Sequence, residues 1–238
     1  MISLNYGAIS DCGKVRAENE DNYLVLAKDN FTVLVVADGM GGHNSGDLAS
    51  SLAIEVIKNY QFNSDDLIQD IKTLISQANQ YVYQKSKEKE EYHGMGTTLT
   101  LGVIKDRILT IGHIGDTRAY LFRDDDLCQI SQDHSMVQEL VKKNIITPEE
   151  AEDHPQKNIL TNALGIEKKV DKDLFEVDLK EQDLILFCSD GLTNMTSDEE
   201  LADILAKPIN LQQKAESLVE LANQRGGRDN ITVIIYSV

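Results

Sequence analysis

Two apolar runs of strand length, FTVLVVADG and DLILFCSDG, each lead straight into an Asp-Gly pair, Asp38-Gly39 and Asp190-Gly191. A run without polar alternation is a strand covered on both faces, so each of these demands packing from two sides. A carboxylate at the end of such a run is unwelcome unless something there compensates it. Asp229 stands in a similar relation to the last apolar run, ITVIIYSV, which it precedes within GGRDN. Taken singly, an Asp-Gly pair has a plain structural reading, in which Gly makes a turn and Asp caps it. Three carboxylates held at buried strand ends and brought together from distant parts of the chain would instead form a hard-oxygen site suited to Mg²⁺ or Mn²⁺.

Strand-like runs cover Ile2–Ser10, Asn22–Ala27, Thr32–Ala37, Thr97–Ile104, Arg107–Ile114, Arg118–Arg123, Asp183–Cys188 and Ile231–Ser237, most of them rich in Val, Ile, Leu, Thr and Tyr. Asp124–Asp126 reads as a turn between LFR and LCQIS. Helical spacing begins after Asn44-Ser45 with Ala49, Leu52, Ala53, Val56 and Ile57. It resumes from Ser64 with Leu67, Ile71, Leu74, Ile75, Ala78 and Val82, and a charged continuation reaches Glu91. Two further helices follow Thr196 and Leu211, the first with Thr196 placed three residues before Glu199 as in a capping box. Doubly covered strands with few long amphipathic helices predict an α+β fold, a four-layer α-β-β-α sandwich of two mainly antiparallel sheets flanked by helices. A doubly wound arrangement does not fit, because the middle strands follow one another through turns.

Residues 133–165 interrupt the strand series. Short helical pieces occur there, SMVQELVKK and a capped Thr147-Pro148-Glu149-Glu150, and the segment reads as a small flap insertion. Without a Ser/Gly-rich linker and with only three prolines, 1–238 is expected to be a single domain. The net charge of −17 argues against nucleic-acid binding and against docking on anionic lipid. No apolar run reaches membrane-spanning length, and MISLNYGAIS lacks a basic signal-peptide region, so membrane insertion is not expected. The three scattered cysteines, Cys12, Cys128 and Cys188, make no disulfide framework and fit a cytoplasmic location. Cys188, inside an apolar run, reads as a small buried hydrophobe.

In chain order the polar motifs are RAENED, DGMGGH, GMGTT, GDTRAY, SDGL and GGRDN, with DHS, ITPEEAEDHP and ALG in the 133–165 segment. This set resembles the metal-dependent serine/threonine protein phosphatases of the PPM (PP2C-like) family, bacterial type, over essentially the whole chain. The resemblance implies that Asp38 bridges two Mn²⁺ or Mg²⁺ ions, with Asp190 and Asp229 completing the first ion's protein ligands. The Gly39 carbonyl and Glu20 would serve the second, and Asp116, sharing Asp190, would bind a probable third. Arg16 would bind the substrate phosphate, and Asp21 and Asn230 would support the ligands from behind. The implied reaction is in-line attack of a metal-bridging hydroxide on phosphoserine or phosphothreonine without a phospho-enzyme. The implied partners are phosphorylated proteins, among them a Ser/Thr kinase whose signalling the enzyme opposes, and the chain is expected to act as a monomer.

The residue types suit that chemistry on their own terms. Carboxylates and a carbonyl suit hard octahedral ions, whereas zinc favours His and Cys, and an arginine offers a bidentate fork to a phosphate. Many relatives have DGHGG, with the His proposed as the acid that protonates the leaving alkoxide; here the position is Met40, which carries no proton to give. His43 or a metal-bound water is the candidate substitute. Lys157 and Asn162 stand where relatives often carry arginines, which weakens the case for anchoring of the flap through such forks. His113, within a strand, reads as a core hydrogen-bonder; His134 and His154 belong to the flap, and His93 ends a charged helix. Two other classes are open: an inactive regulatory or binding module of the same fold, against which the intact acidic set argues, and an aspartyl-nucleophile phosphatase, for which no Asp-x-Asp motif stands at a strand end.

Overall fold

The computed structural model describes residues 5–28, 30–41, 45–62, 66–152 and 154–238. The chain opens with β1 (Tyr6–Asp11), β2 (Asp21–Lys28) and β3 (Phe31–Met40), then two long helices, α1 (Ser45–Asn59) and α2 (Leu67–Lys85). Five strands follow, β4 (Gly96–Thr97), β5 (Leu99–Lys105), β6 (Ile108–Ile114), β7 (Arg118–Arg123) and β8 (Asp126–Gln129). Two short helices, α3 (Met136–Lys142) and α4 (Pro148–Glu152), fill the 133–165 segment. The remainder is β9 (Asp173–Asp178), β10 (Leu184–Cys188), α5 (Asp190–Thr193), α6 (Asp198–Ala206), α7 (Leu211–Gln224) and β11 (Ile231–Ser237).

One sheet has the order β1-β11-β10-β7-β8 and the other β2-β3-β5-β6-β9, with β4 paired to β3. Every ladder between these strands is antiparallel. The doubly apolar strands do what their pattern demands. Along β3, Val33, Val35 and Ala37 pack under α1 and α2, while Leu34 and Val36 face the second sheet. Along β10, Leu186 and Cys188 pack under α6 and α7, while Ile185 and Phe187 fill the space between the sheets. Three apolar clusters thus occupy the three interfaces of an α-β-β-α sandwich, as the sequence predicts. The buried Cys188 is one of the packing residues, matching its reading as a small hydrophobe.

Several local expectations need correction. The α2 helix stops at Lys85, and only a single turn of 3-10 helix occupies Glu90–Tyr92. Its last buried apolar residue is Val82, and beyond the stripe no packing supports the charged continuation. The capping box lies one residue later than expected, between Ser197 and Glu200, because the Thr196 hydroxyl donates to the Leu192 carbonyl instead. Asp38 does not end its strand: β3 runs on through Gly39 to Met40 and pairs there with β4. Asp190 opens the short helix α5, so Gly191 is helical and makes no strand turn. The Thr97–Ile104 run is broken at Thr98, whose hydroxyl accepts from the Asp38 N–H and whose N–H donates to the Asp38 carbonyl. Strand β9 and helix α5 carry too few apolar residues to have been legible. Ile2 to Leu4 and Ser64, included in predicted elements, lie outside the described residues.

Candidate active site

Antiparallel pairing puts the motif residues at matching ends of the strands. Asp21 begins β2 and stands opposite Asp38 near the end of β3. Cys188, at the end of β10, pairs with Val233 in β11 and with Arg118 in β7. Asp190 therefore follows one strand where Asp229 precedes its neighbour, with the Asp116 turn close by. Asp38 feels Asp21, Asp190, Asp116 and Asp229 together; partial burial first, and their repulsion next, push its pKa well up. Burial raises Asp190 to about 6, with Asp229 adding to the rise, and raises Asp21 to about 7. Asp116 is likewise pushed well up by burial and by Asp190.

Local bonds hold each carboxylate. Asp21 Oδ2 accepts the Ser189 hydroxyl at 2.6 Å, and Asp190 Oδ2 accepts from Asn194 at 2.9 Å, one helical turn on within the DGLTN segment. Asp38 and Asp190 lie within electrostatic reach of each other, two carboxylates that repel unless a proton or a cation compensates them. Asp229 Oδ1 accepts its neighbour's N–H, and Oδ2 accepts from Arg16 Nη2 at 2.8 Å. Arg16 also lies within electrostatic reach of Asp38 and Glu20, which places it at the rim of the acidic cluster. Asn230 ties the 12–20 loop to this rim, donating to the Cys12 and Glu18 carbonyls and accepting from the Glu20 N–H.

The Glu20 side chain sits against the first turn of α1, bonded to the Gly46 backbone, and partial burial raises its pKa. Gly39 allows this approach. A Cβ there would fall 2.2 Å from the Gly46 carbonyl oxygen and 2.6 Å from that of Glu20. On the opposite side, Asp116 and Asp190 line a cavity of about 680 Å³ that also takes in Val137 and Val141 of α3 and Ala151 of α4.

The donor set fits divalent cations. It is all oxygen, and it concentrates negative charge that only protons or cations can compensate. Two buried oxygens, Asp21 Oδ1 and Asp190 Oδ1, have no hydrogen-bond partner among the described residues. Among the described residues, no three Asp, Glu, His or Cys side chains are grouped closely enough around one point to hold an ion. Sequence reasoning passed over Ser189, Thr98, Asn194 and Gly46. Of these only Asn194, four residues after Asp190 on a short helix, left a readable spacing. His43 lies outside the described residues. Met40 lines a separate hollow beside His134 and Ile166. Asn162 lacks an arginine's fork and donates to the Asp171 carbonyl at 2.8 Å, tying the 133–165 segment to the chain that follows it.

Residues 12–224 match the family model described as Protein phosphatase 2C. The chain is 40% identical over 233 residues to the serine/threonine phosphatase stp of Listeria welshimeri, covering 95% of this chain and 92% of that one. It is 40% identical over 237 residues to protein phosphatase PhpP of Streptococcus pneumoniae, covering 97% and 96%. The Mycobacterium tuberculosis serine/threonine phosphatase PstP/Ppp superposes with a TM-score of 0.92 at 38% identity, covering 99% of this chain and 98% of that one. The catalytic domain of PstP in complex with 2 manganese ions superposes at 0.89 with 37% identity, covering 98% and 97%. The acidic cluster is thus set in a fold shared with bacterial enzymes of one kind, and the chain belongs to the PP2C family of serine/threonine protein phosphatases.

Proposed function

We propose that the acidic cluster is a divalent-metal centre, Mn²⁺ or Mg²⁺, at which phosphoserine and phosphothreonine side chains of proteins are hydrolysed. The observation that carries this reading is the gathering of Asp38, Asp190, Asp116 and Asp21, each with its pKa raised and two of them with an orphaned oxygen. Asp38 would be shared by two ions, Asp190 and Asp229 would complete the first, and the Gly39 carbonyl and Glu20 would serve the second. Asp116 with Asp190 would take a third. Such ions lower the pKa of water held between them and offset charge on a transferring phosphoryl group.

The chain's own groups supply the rest. Arg16 is half exposed at the rim, and its bond to Asp229 occupies one of the five donors of a guanidinium, leaving a fork for a phosphate. Asp21, held by Ser189, backs Asp38 from the facing strand. Asn230 fixes the loop that carries Arg16 and Glu20. Met40 has no proton to donate, so His43 is the proposed donor to the leaving alkoxide; turnover unchanged in His43→Ala would remove it from that role.

No helix among the described residues is long and apolar enough to cross a membrane. We place the enzyme in the cytoplasm as a monomer acting on phosphorylated proteins, a Ser/Thr kinase among them. The test is phosphate release from a phosphothreonyl peptide by metal-stripped protein, with Mn²⁺ or Mg²⁺ returned and Asp38→Asn as control. Release that needs the metal and vanishes in the variant supports the reading. Folded protein that releases no phosphate with either ion would sink it in favour of a regulatory module.

A further inference from the structure

Asp116 sits in the turn between β6 and β7, and its neighbours are held from the entrance of the 133–165 segment. On one side Gly115 and His134 exchange two bonds: the Gly115 carbonyl accepts the His134 N–H at 2.7 Å, and the Gly115 N–H donates to His134 Nδ1 at 3.3 Å. On the other side Arg118 forks onto Asp133, with Nε 3.0 Å from Oδ1 and Nη2 2.7 Å from Oδ2. Between them a buried chain starts at Thr117. Its hydroxyl lies 2.7 Å from Thr100 Oγ1, which lies 2.9 Å from His113 Nδ1, while His113 Nε2 lies 3.1 Å from the Gln132 carbonyl. Gln132, Asp133 and His134 are consecutive, so three successive residues secure Thr117, Arg118 and Gly115 around Asp116.

The proton directions along this chain follow from its ends. A carbonyl can only accept, so His113 carries its proton on Nε2 and presents Nδ1 as an acceptor. The one Thr100 hydroxyl proton is shared between that nitrogen at 2.9 Å and the Thr117 carbonyl at 3.0 Å, while Thr100 Oγ1 receives the Thr117 hydroxyl proton. Full burial keeps the ring neutral, as one donor and one acceptor require. His134 is fixed in the same way: Nδ1 receives Gly115 and Asn162, and Nε2 faces Asp173 Oδ2 at 3.2 Å. Space filling alone would be met at lower cost by aliphatic side chains, since each buried polar group must find its partner.

We propose that Thr100, His113 and His134 are positioning residues that hold the Asp116 carboxylate in register with Asp190, making the seating of the 133–165 segment and the place of Asp116 a single unit. The inference rests on the assignment of Asp116 as a metal ligand. It also gives a function to a buried histidine that neither ligates nor reacts.

The experiment is a double-mutant cycle on the full chain with Mn²⁺ and a phosphothreonyl peptide. Thr100→Val removes the hydroxyl at nearly constant shape, and Thr100→Ser keeps it. Expected is a loss of about ten-fold in kcat for Thr100→Val, with KM changed less than about two-fold and most of the loss restored in Thr100→Ser. Placed on Asp116→Asn, Thr100→Val should add no further loss, because both act through one carboxylate. Amide hydrogen exchange gives a readout independent of turnover: Thr100→Val and His134→Phe should each speed exchange at 115–118 while β3 and β10 keep their protection. Full additivity in the cycle, or unchanged exchange at 115–118 in both variants, would overturn the inference and leave the Asp116 assignment standing. Asp116→Asn with undiminished turnover would overturn the assignment, and the inference with it.

Discussion

Asp21 and Asp38 stand directly opposite each other on β2 and β3, two carboxylates at a cross-strand pair where like charges repel. Asp21 is the more deeply buried, with Oδ2 on Ser189 and Oδ1 without a partner among the described residues. Its pKa rises to about 7, chiefly through burial, with the neighbouring aspartates adding to the shift. A carboxyl whose folded pKa is raised binds more protons folded than unfolded between about pH 4 and 7, so the metal-free protein loses stability as pH rises through that window. Asp21→Asn should therefore match the wild type at pH 4 and exceed it by on the order of 2 kcal/mol at pH 7.5 without metal. Urea titrations at the two pH values check this; a gap that fails to widen with pH would contradict the burial argument.

Asp38→Asn and Asp190→Asn each remove a charge from the point of greatest repulsion. Both should keep or raise the melting temperature of metal-free protein while cutting kcat/KM by at least about 100-fold. A ligand that binds only the folded state raises its stability in proportion to occupancy, so Mn²⁺ should raise the melting temperature of the wild type and do so far less in either variant. Calorimetry with and without Mn²⁺ separates the effects. Equal metal stabilisation in wild type and Asp38→Asn would place the ions elsewhere.

The layers were legible because periodicity reports burial. FTVLVVA and LILFC admit no polar face, and the structure covers both faces of each with the three clusters of the sandwich. The carboxylates were legible for the complementary reason, as charge set in or beside apolar runs. What escaped were residues whose role depends on a partner far away in sequence. Ser189 is an ordinary residue until it meets Asp21, 168 positions earlier, and Thr98 until it bonds Asp38, 60 positions earlier. Boundaries slipped where a competing bond won, as at Thr196, or where apolar support ended, as after Val82 in α2. Strand β9, DLFEVD, is only partly buried and lacks the apolar content that marked the others.

Arg16 contacts Asp229 from an exposed position, and exposed pairs contribute about 0–1 kcal/mol to stability. Arg16→Ala should therefore leave the melting temperature nearly unchanged and act on the substrate side instead. Loss of a charge-assisted fork to phosphate is expected to lower kcat/KM by about 10- to 100-fold, mainly through KM, with Arg16→Lys recovering only part of it because an ammonium cannot bond two oxygens in parallel. Steady-state kinetics on a phosphothreonyl peptide decide the matter: a pure kcat effect with constant KM would take Arg16 out of phosphate binding.

Two glycines offer a matched test of how tightly the centre is built. At Gly39 a Cβ would meet backbone on two sides, 2.2 Å from the Gly46 carbonyl oxygen and 2.6 Å from the Glu20 carbonyl oxygen, so either α1 or the loop that ends at Glu20 must give way. At Gly94 nothing lies within 4 Å, and the only obstacle is a φ of +80°. Gly94→Ala should cost about 1 kcal/mol for its left-handed backbone and leave turnover intact. Gly39→Ala should cost about 3 kcal/mol or more by overpacking and, in the fraction that folds, displace the Glu20 side chain from the α1 terminus and depress Mn²⁺ affinity. Denaturant melts of both variants, with Mn²⁺ titrations of turnover, give the comparison. A Gly39→Ala protein as stable and as active as Gly94→Ala would show that the start of α1 moves freely, and that the close approach of Gly39, Glu20 and Gly46 does not fix the centre.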